Sequence, residues 1–311
     1  MVQDTWSVRG GDWHAPPSCK GDPMLTCWLQ RGMLSMVPFV IAALVVILLS
    51  CAPTQSSALK GMLSMLMAYM RRYDLLSRLR SRVVRDTLPL LCIWILLVAW
   101  AIIGTVLDSK LGQDAHEAQH FFSVVVIGSF ATAWTYCMLL VCHALSTIID
   151  HFCCEVSNLP DILDIMQKWN TLQALLLKAA GTIEWNILAM LLAVAFAIPL
   201  LLADILMLGA TWAAAPPLVP VVLIIILFMR VFLKAASITD KCARVPPLVN
   251  SLCFGAGTEH RRQLLVEYIS SSGAGFYVCD VRLTMGGALK FMYTWSIVAF
   301  GFATNLFTSL D

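Results

Sequence analysis

The chain has 311 residues, of which 59% are apolar and only 13% are charged. A soluble domain carries about 25% charged residues, and its core could not absorb this much apolar surface, so the composition excludes an ordinary soluble protein. The net charge of +2 is small, and the basic residues lie mainly in a few loops, so we expect no nucleic-acid partner. The composition predicts an all-α, polytopic membrane protein whose partner is the lipid bilayer.

Charge-free runs long enough to cross a bilayer recur along the chain. A helix needs about 20 apolar residues to span a hydrocarbon core of about 30 Å. The polar, mixed stretch 1–33 comes first, and we expect it to be an extracellular or non-native segment. Arg230 lies near the end of the fifth run, from where its side chain can extend to the headgroups. Six spans are predicted, at 34–52, 88–107, 121–149, 185–208, 217–233 and 291–310.

The loops predict an orientation, because loops rich in Lys and Arg stay in the cytosol. The loop 53–87 carries Lys60 and six arginines against two aspartates. Alternation then places the loops 150–184 and 234–290 in the cytosol and the C-terminus outside. We therefore expect a transmembrane bundle with cytosolic helices over 34–290 and a separate last helix over 291–311.

The predicted cytosolic loops contain amphipathic patterns. Apolar residues recur at intervals of three and four from Ile162 to Ala179, and shorter patterns of this kind occupy 62–79 and 264–269. Such helices could lie on anionic lipid or pack together as a cytosolic bundle. We favour the bundle.

The most specific pattern lies at the C-terminal end. Gly-Phe-Tyr-Val-Cys-Asp-Val-Arg-Leu occupies 275–283, and Thr-Trp, five residues and Gly-Phe occupy 294–302. This resembles the C-terminal signature of arthropod (insect-type) gustatory receptors, a Gly-Phe-aromatic turn with an Asp and a Leu, followed by Thr-Tyr, five mostly apolar residues and Gln-Phe. Trp replaces the usual Tyr, and Gly replaces the usual Gln. The matching positions are Gly275, Phe276, Asp280, Leu283, Thr294, Trp295 and Phe302.

The resemblance implies a function. Members of that family are seven-helix chemoreceptors of the plasma membrane, with an inner N-terminus and an outer C-terminus, and act as ligand-gated, non-selective cation channels. Counted from the C-terminus, the six predicted spans match family helices two to seven, so the first helix is missing. The resemblance implies a taste receptor for a small-molecule tastant, assembled as a homo- or heterotetramer, with no cofactor and no enzymatic activity. A multi-spanning transporter is the alternative, although the two halves show no internal repeat.

Thr294, Val298, Gly301 and Asn305 recur at four, three and four residues and share one face of the last helix. That face is small and polar, which predicts either close helix packing or a pore lining. In the resembled family four copies of this helix surround the channel. The apolar residue three places before the usual Gln forms the gate, which here is Val298, and Phe302 belongs to the same set. An apolar ring can close a channel by dewetting.

The family binds ligands in the outer half of the bundle. At that depth this chain has Trp100, Phe130, Phe196 and Asp204. A carboxylate in a membrane is costly, so Asp204 is either a ligand contact or exposed to interfacial water, and Trp100 is either a ligand contact or an interfacial anchor. His143 is predicted to be a hydrogen-bonded packing residue. His and Cys are not grouped at ligand spacing, so we expect no metal site.

Overall fold

A computed structural model describes residues 34–109, 114–157, 162–208, 215–252 and 259–310. This part of the chain is almost entirely helical, which confirms the all-α class. A short 3-10 turn, Leu34–Met36, leads into the first helix, and a small β-hairpin precedes the last. The elements are α1 (Val37–Cys51), α2 (Pro53–Arg72), α3 (Leu76–Ser109), α4 (Asp114–Val156), α5 (Ile162–Leu208), α6 (Ala215–Ser251), α7 (Glu259–Ser271), β1 (Tyr277–Val278), β2 (Val281–Arg282) and α8 (Met285–Leu310).

Four helices, α3 to α6, are long and apolar enough to cross a membrane, and α1 with α2 makes a fifth if the bent pair is one span. These four contain the predicted spans at 88–107, 121–149, 185–208 and 217–233. Within the described residues the structure thus supports four spans, or five with the bent pair, and crossing by α8 stays a prediction. Helix α1 has only 15 residues, about 22 Å, which is short for a bilayer.

The chain bends by 78° between α1 and α2. Pro53 causes the bend, because the residue before a proline is pushed out of the helical region. Ala52 accordingly has φ −61° and ψ 129°, and Pro53 then begins α2, where its missing N–H has no consequence. The predicted loop 53–87 is therefore helix α2, a tight turn and the first part of α3.

The long helices pack in alternating directions. Helix α3 is antiparallel to α4, because Arg82 pairs with Asp150 at 2.8 Å while Trp94 Nε1 donates to Ser129 Oγ at 3.0 Å. Helix α6 is parallel to α4, and its Lys241 also pairs with Asp150, at 2.6 Å. We call the end of the bundle that holds these ion pairs the basic end.

The first half of α5 belongs to the same bundle. Lys168 pairs with Glu155 of α4 at 2.6 Å, so α5 starts at the basic end. Trp169 is buried and its ring lies 5.4 Å from that of Phe152. Residues 162–179 therefore form the predicted amphipathic helix and pack against the other helices, as the bundle interpretation requires. Their cytosolic location stays a prediction.

Candidate functional site

The segment that carries the first half of the sequence motif is a β-hairpin. Strands β1 and β2 are antiparallel, with Tyr277 opposite Arg282 and Val278 opposite Val281. The two residues between the strands, Cys279 and Asp280, both have positive φ, 49° and 61°. Two-residue hairpin loops of the primed type need positive φ at both positions, and Asp is among the residues that tolerate it. The Asp of the motif is therefore a turn residue.

The hairpin is docked on α6 through Gly275 and Phe276. The Phe276 N–H donates to Thr239 Oγ1 at 2.9 Å, and the Leu283 N–H donates to the Phe276 carbonyl at 2.9 Å. The Phe276 side chain is only 1% exposed and Leu283 is also buried. A Cβ atom at Gly275 would lie 2.9 Å from Thr239 Cγ2, so the backbone approaches α6 more closely than any side chain would permit.

Two carboxylates hold the hairpin tip and the start of α8. Glu184 of α5 accepts the Cys279 N–H at 2.7 Å, and Asp240 of α6 accepts the Met285 N–H at 3.4 Å. Thr284 caps α8, because its hydroxyl oxygen accepts the Gly287 N–H at 3.1 Å. The entrance to α8 is thus connected to both α5 and α6. The sequence analysis identified neither carboxylate, since nothing local distinguishes them from other polar residues.

Helix α8 is attached to the bundle by a row of aromatic rings. The ring of Phe291 lies 5.7 Å from Phe232 of α6 and 6.2 Å from Trp295. The row continues from Phe232 to Phe228 at 6.0 Å and on to Trp134 of α4 at 6.3 Å. Such centroid distances are those of favourable aromatic pairs. Phe291 is therefore the ring that joins the last helix to α6, and Trp295, which replaces the Tyr of the motif, packs on Phe291 within α8.

The predicted pore face of α8 is only partly covered by the described part of the chain. At about 100° per residue, Thr294 and Gly301 lie roughly 60° and 80° around the helix from Phe291, and Val298 only about 20°. Thr294 and Gly301 are exposed, Val298 is half-buried, and a Cβ atom at Gly301 would meet no described atom within 4 Å. No described helix therefore packs closely on Thr294 and Gly301, and both interpretations of this face, close helix packing and a pore lining, stay predictions. The side chains of Phe302 and Asn305 lie outside the described residues.

The four predicted ligand contacts are not gathered into one interior site. Asp204 is only 5% exposed and accepts the Ser35 N–H at 2.9 Å, so it anchors the start of α1 and the expectation that it faces interfacial water is wrong. Trp100 and Phe130 are half-buried, whereas Phe196 is 60% exposed on the outside of the bundle. A ligand that contacts Phe196 would have to bind at the periphery of the chain.

A charged cluster that the sequence analysis missed joins three helices. Asp86 of α3 binds His143 Nε2 of α4 at 2.5 Å and Arg230 Nη2 of α6 at 3.3 Å. The predicted role of His143 as a hydrogen-bonded packing residue is confirmed. Arg230 does not extend freely to the headgroups, because it pairs with Asp86. The signal available in the sequence was that Asp86 and Arg230 each lie at the edge of a predicted span.

No family model matches the chain, and no curated protein matches it in a sequence search. Within the described residues, no three His, Cys, Asp or Glu side chains come together as a metal site. The functional conclusion therefore depends on the motif resemblance and on the geometry around α8.

Proposed function

We propose that the chain is a gustatory (taste) chemoreceptor of the plasma membrane that acts as a ligand-gated, non-selective cation channel, with a pore lined by α8. The observation that carries the proposal is the exposure of α8. It is fastened to α6 through Phe291, while Thr294 and Gly301 are uncovered. The motif residues occupy this helix and the hairpin that leads into it.

The exposed surface of α8 has two different characters. Tyr293 is 69% exposed and Phe300 is 72% exposed, and large apolar side chains of this kind suit lipid or another protein surface. The face with Thr294 and Gly301 offers lipid little contact area. Several copies arranged around an axis would turn this small, polar face towards water in a central channel. We propose four copies, as in the family that the motif resembles.

Gating follows from the same arrangement. Val298 lies on the pore face between Thr294 and Gly301, so four copies would form an apolar ring that closes the channel by dewetting. Helix α8 contains no Asp or Glu, so its walls provide no acidic ring to discriminate among cations. The substitution of Gly301 for the family's Gln removes a polar side chain next to the gate and widens the channel there.

The hairpin provides a route by which a tastant could act on the gate. A tastant that moved the outer half of α5 or α6 would act on α8 through Glu184 and Asp240, because these residues hold Cys279 and Met285. Each contact is a hydrogen bond to a backbone N–H, so a shift of the carboxylate would move the backbone of the hairpin or of α8 directly. Coupling is thus proposed to run through the hairpin.

A multi-spanning transporter is the second candidate. It is favoured by the Asp86, His143 and Arg230 cluster, because ionisable groups at the edge of a helix bundle often mark ion or proton pathways. Pro199 inside α5 and Pro220 inside α6 also permit the broken helices that transporters use.

The test is whole-cell current in cells that express the chain while a tastant panel is perfused. Val298→Ala would shrink the apolar ring, so we expect a ligand-evoked cation current in the parent chain and an increased current without ligand in the variant. Tyr293→Ala is the matched control, because Tyr293 lies on the exposed side away from the pore face. Native mass spectrometry of the purified protein should give four copies. Surface expression with no current in any variant would favour the transporter.

A further inference from the structure

A groove with a volume of about 490 Å³ opens at the basic end of the bundle. It lies between the second half of α6, helix α7 and the hairpin, far from the predicted ligand contacts. Its accessible apolar surface comes from Pro246, Pro247 and Val266, and the buried Trp169 and Ile269 lie behind them. Small-molecule sites usually measure about 300–1,000 Å³ and combine such an apolar surface with a few polar groups, so the groove has the size of a ligand site.

The polar groups of the groove are mainly hydrogen-bond donors. Among the described residues that line it, Arg282 is the one that is charged and none is a carboxylate; Asn250 and Ser270 add an amide and a hydroxyl. The guanidinium of Arg282 donates one bond, from Nη2 to the Ala274 carbonyl at 3.1 Å. A guanidinium carries five N–H donors, and its planar fork suits a carboxylate or a phosphate. The groove therefore presents positive charge beside an apolar surface.

One wall also offers acceptors. Pro246 and Pro247 lie inside α6 and have no N–H to donate to the carbonyls four residues earlier. Those carbonyls belong to Cys242 and Ala243, which both line the groove. A ligand N–H or O–H could supply the donor that the helix lacks at this point.

We propose that this groove binds a small amphipathic monoanion, with an aromatic body against Val266 and the two prolines and with its acidic group at Arg282. A ring N–H or O–H on the body would face the carbonyls of Cys242 and Ala243. The site is separate from the proposed tastant site and does not depend on channel activity. The acidic group belongs either to a soluble aromatic acid or to an anionic lipid headgroup.

Occupation of the groove would connect three elements. Ala243 belongs to α6, Ser270 to α7 and Arg282 to β2, and α8 begins at Met285. A bound anion would therefore tie the hairpin to α6 and α7 next to the start of α8.

The test uses the purified full chain in phosphatidylcholine nanodiscs, with equilibrium dialysis of labelled indole-3-acetate, indole-3-acetamide and naphthalene-1-acetate. Indole-3-acetate should bind about tenfold more tightly than the amide, because a charged hydrogen bond is lost in the amide. It should also bind more tightly than naphthalene-1-acetate, which lacks the ring N–H. Arg282→Gln should abolish the preference for the acid, whereas Arg244→Gln, which removes an exposed arginine outside the groove, should not.

A second variant distinguishes loss of the site from misfolding of the hairpin in Arg282→Gln. Ala243→Phe fills the groove, leaves Arg282 in place and should prevent binding of all three compounds. Equal affinity for acid and amide, equal effects of Arg282→Gln and Arg244→Gln, or undiminished binding to Ala243→Phe would each overturn the proposal. Nanodiscs with phosphatidylserine identify the source of the acidic group. If phosphatidylserine weakens the binding of indole-3-acetate, and Arg282→Gln removes this effect, the site binds a lipid headgroup. If phosphatidylserine has no effect, the site binds a soluble acid.

Discussion

Gly275 lies where the chain leaves no room for a side chain. Its φ is 155°, and an added Cβ would be 2.9 Å from Thr239 Cγ2 and 3.2 Å from Thr239 Oγ1. Thr239 cannot rotate away without losing its bond to the Phe276 N–H. We expect Gly275→Ala to lower the free energy of unfolding by about 1–3 kcal/mol, the usual cost of overpacking. The midpoint of thermal unfolding in detergent measures the loss.

Gly286 provides the matched control for this prediction. It lies in the first turn of α8, and an added Cβ would meet no described atom within 4 Å. Alanine also favours a helix over glycine by up to about 1 kcal/mol, so Gly286→Ala should leave the midpoint unchanged or raise it. Equal unfolding midpoints for Gly275→Ala and Gly286→Ala would show that there is room for a side chain between Gly275 and Thr239.

At the residue scale, the sequence motif predicted some of the residues of the candidate site. Its spacing identified Gly275, Phe276 and Asp280 as unusual positions: Gly275 avoids a clash with Thr239, Phe276 bonds to Thr239, and Asp280 is a turn residue with positive φ. Thr239 is 37 residues earlier than Phe276, and no local pattern indicates that a threonine on one helix face will meet a hairpin there. Contacts of this kind depend on tertiary packing, which a single sequence does not encode in its periodicity.

At the element scale, the aromatic attachment of α8 can be tested directly. Replacing Phe291 and Trp295 by Ala removes the rings that contact Phe232 and each other. We expect α8 to separate more readily from the bundle, so trypsin should cleave more rapidly after the exposed Lys290 in detergent. Tyr293→Ala removes a ring of similar size that is 69% exposed and should leave the cleavage rate unchanged. Equal cleavage rates for the Phe291 and Trp295 double variant and for Tyr293→Ala would show that these rings do not attach α8 to the bundle.

The extents of the helices were harder to predict than their existence. Charge-free runs located α3 to α6, but α4 has 43 residues and α5 has 47, far longer than the spans. The additional turns are amphipathic and charged, so a prediction from hydropathy alone ends these helices too early. The break between α2 and α3 was missed because it depends on Asp74 at φ 50°, a conformation that carries no sequence signature at an isolated aspartate.

At the scale of the whole molecule, the pairing of helices depends on a few polar contacts. The apolar faces of α3, α4 and α6 are chemically alike, so hydrophobic periodicity could not predict which helices are neighbours or in what register. Asp86, His143 and Arg230 distinguish them, because a charge at a membrane boundary needs a partner at the same depth. The positions of Asp86 and Arg230 at span edges were the one sequence observation that could have suggested this arrangement.

The register can be tested by a double-mutant cycle between Asp86 and Arg230. Asp86→Asn leaves Arg230 without its partner at 3.3 Å, and both side chains are partly buried, so we expect a loss of about 1–3 kcal/mol in the free energy of unfolding. Arg230→Gln should act similarly. The double variant should lose less than the sum, with a coupling of at least about 0.5 kcal/mol. Arg85→Gln, an exposed neighbour on α3, should change stability by less than about 0.5 kcal/mol. Additive losses would mean that α3 and α6 do not meet through this pair.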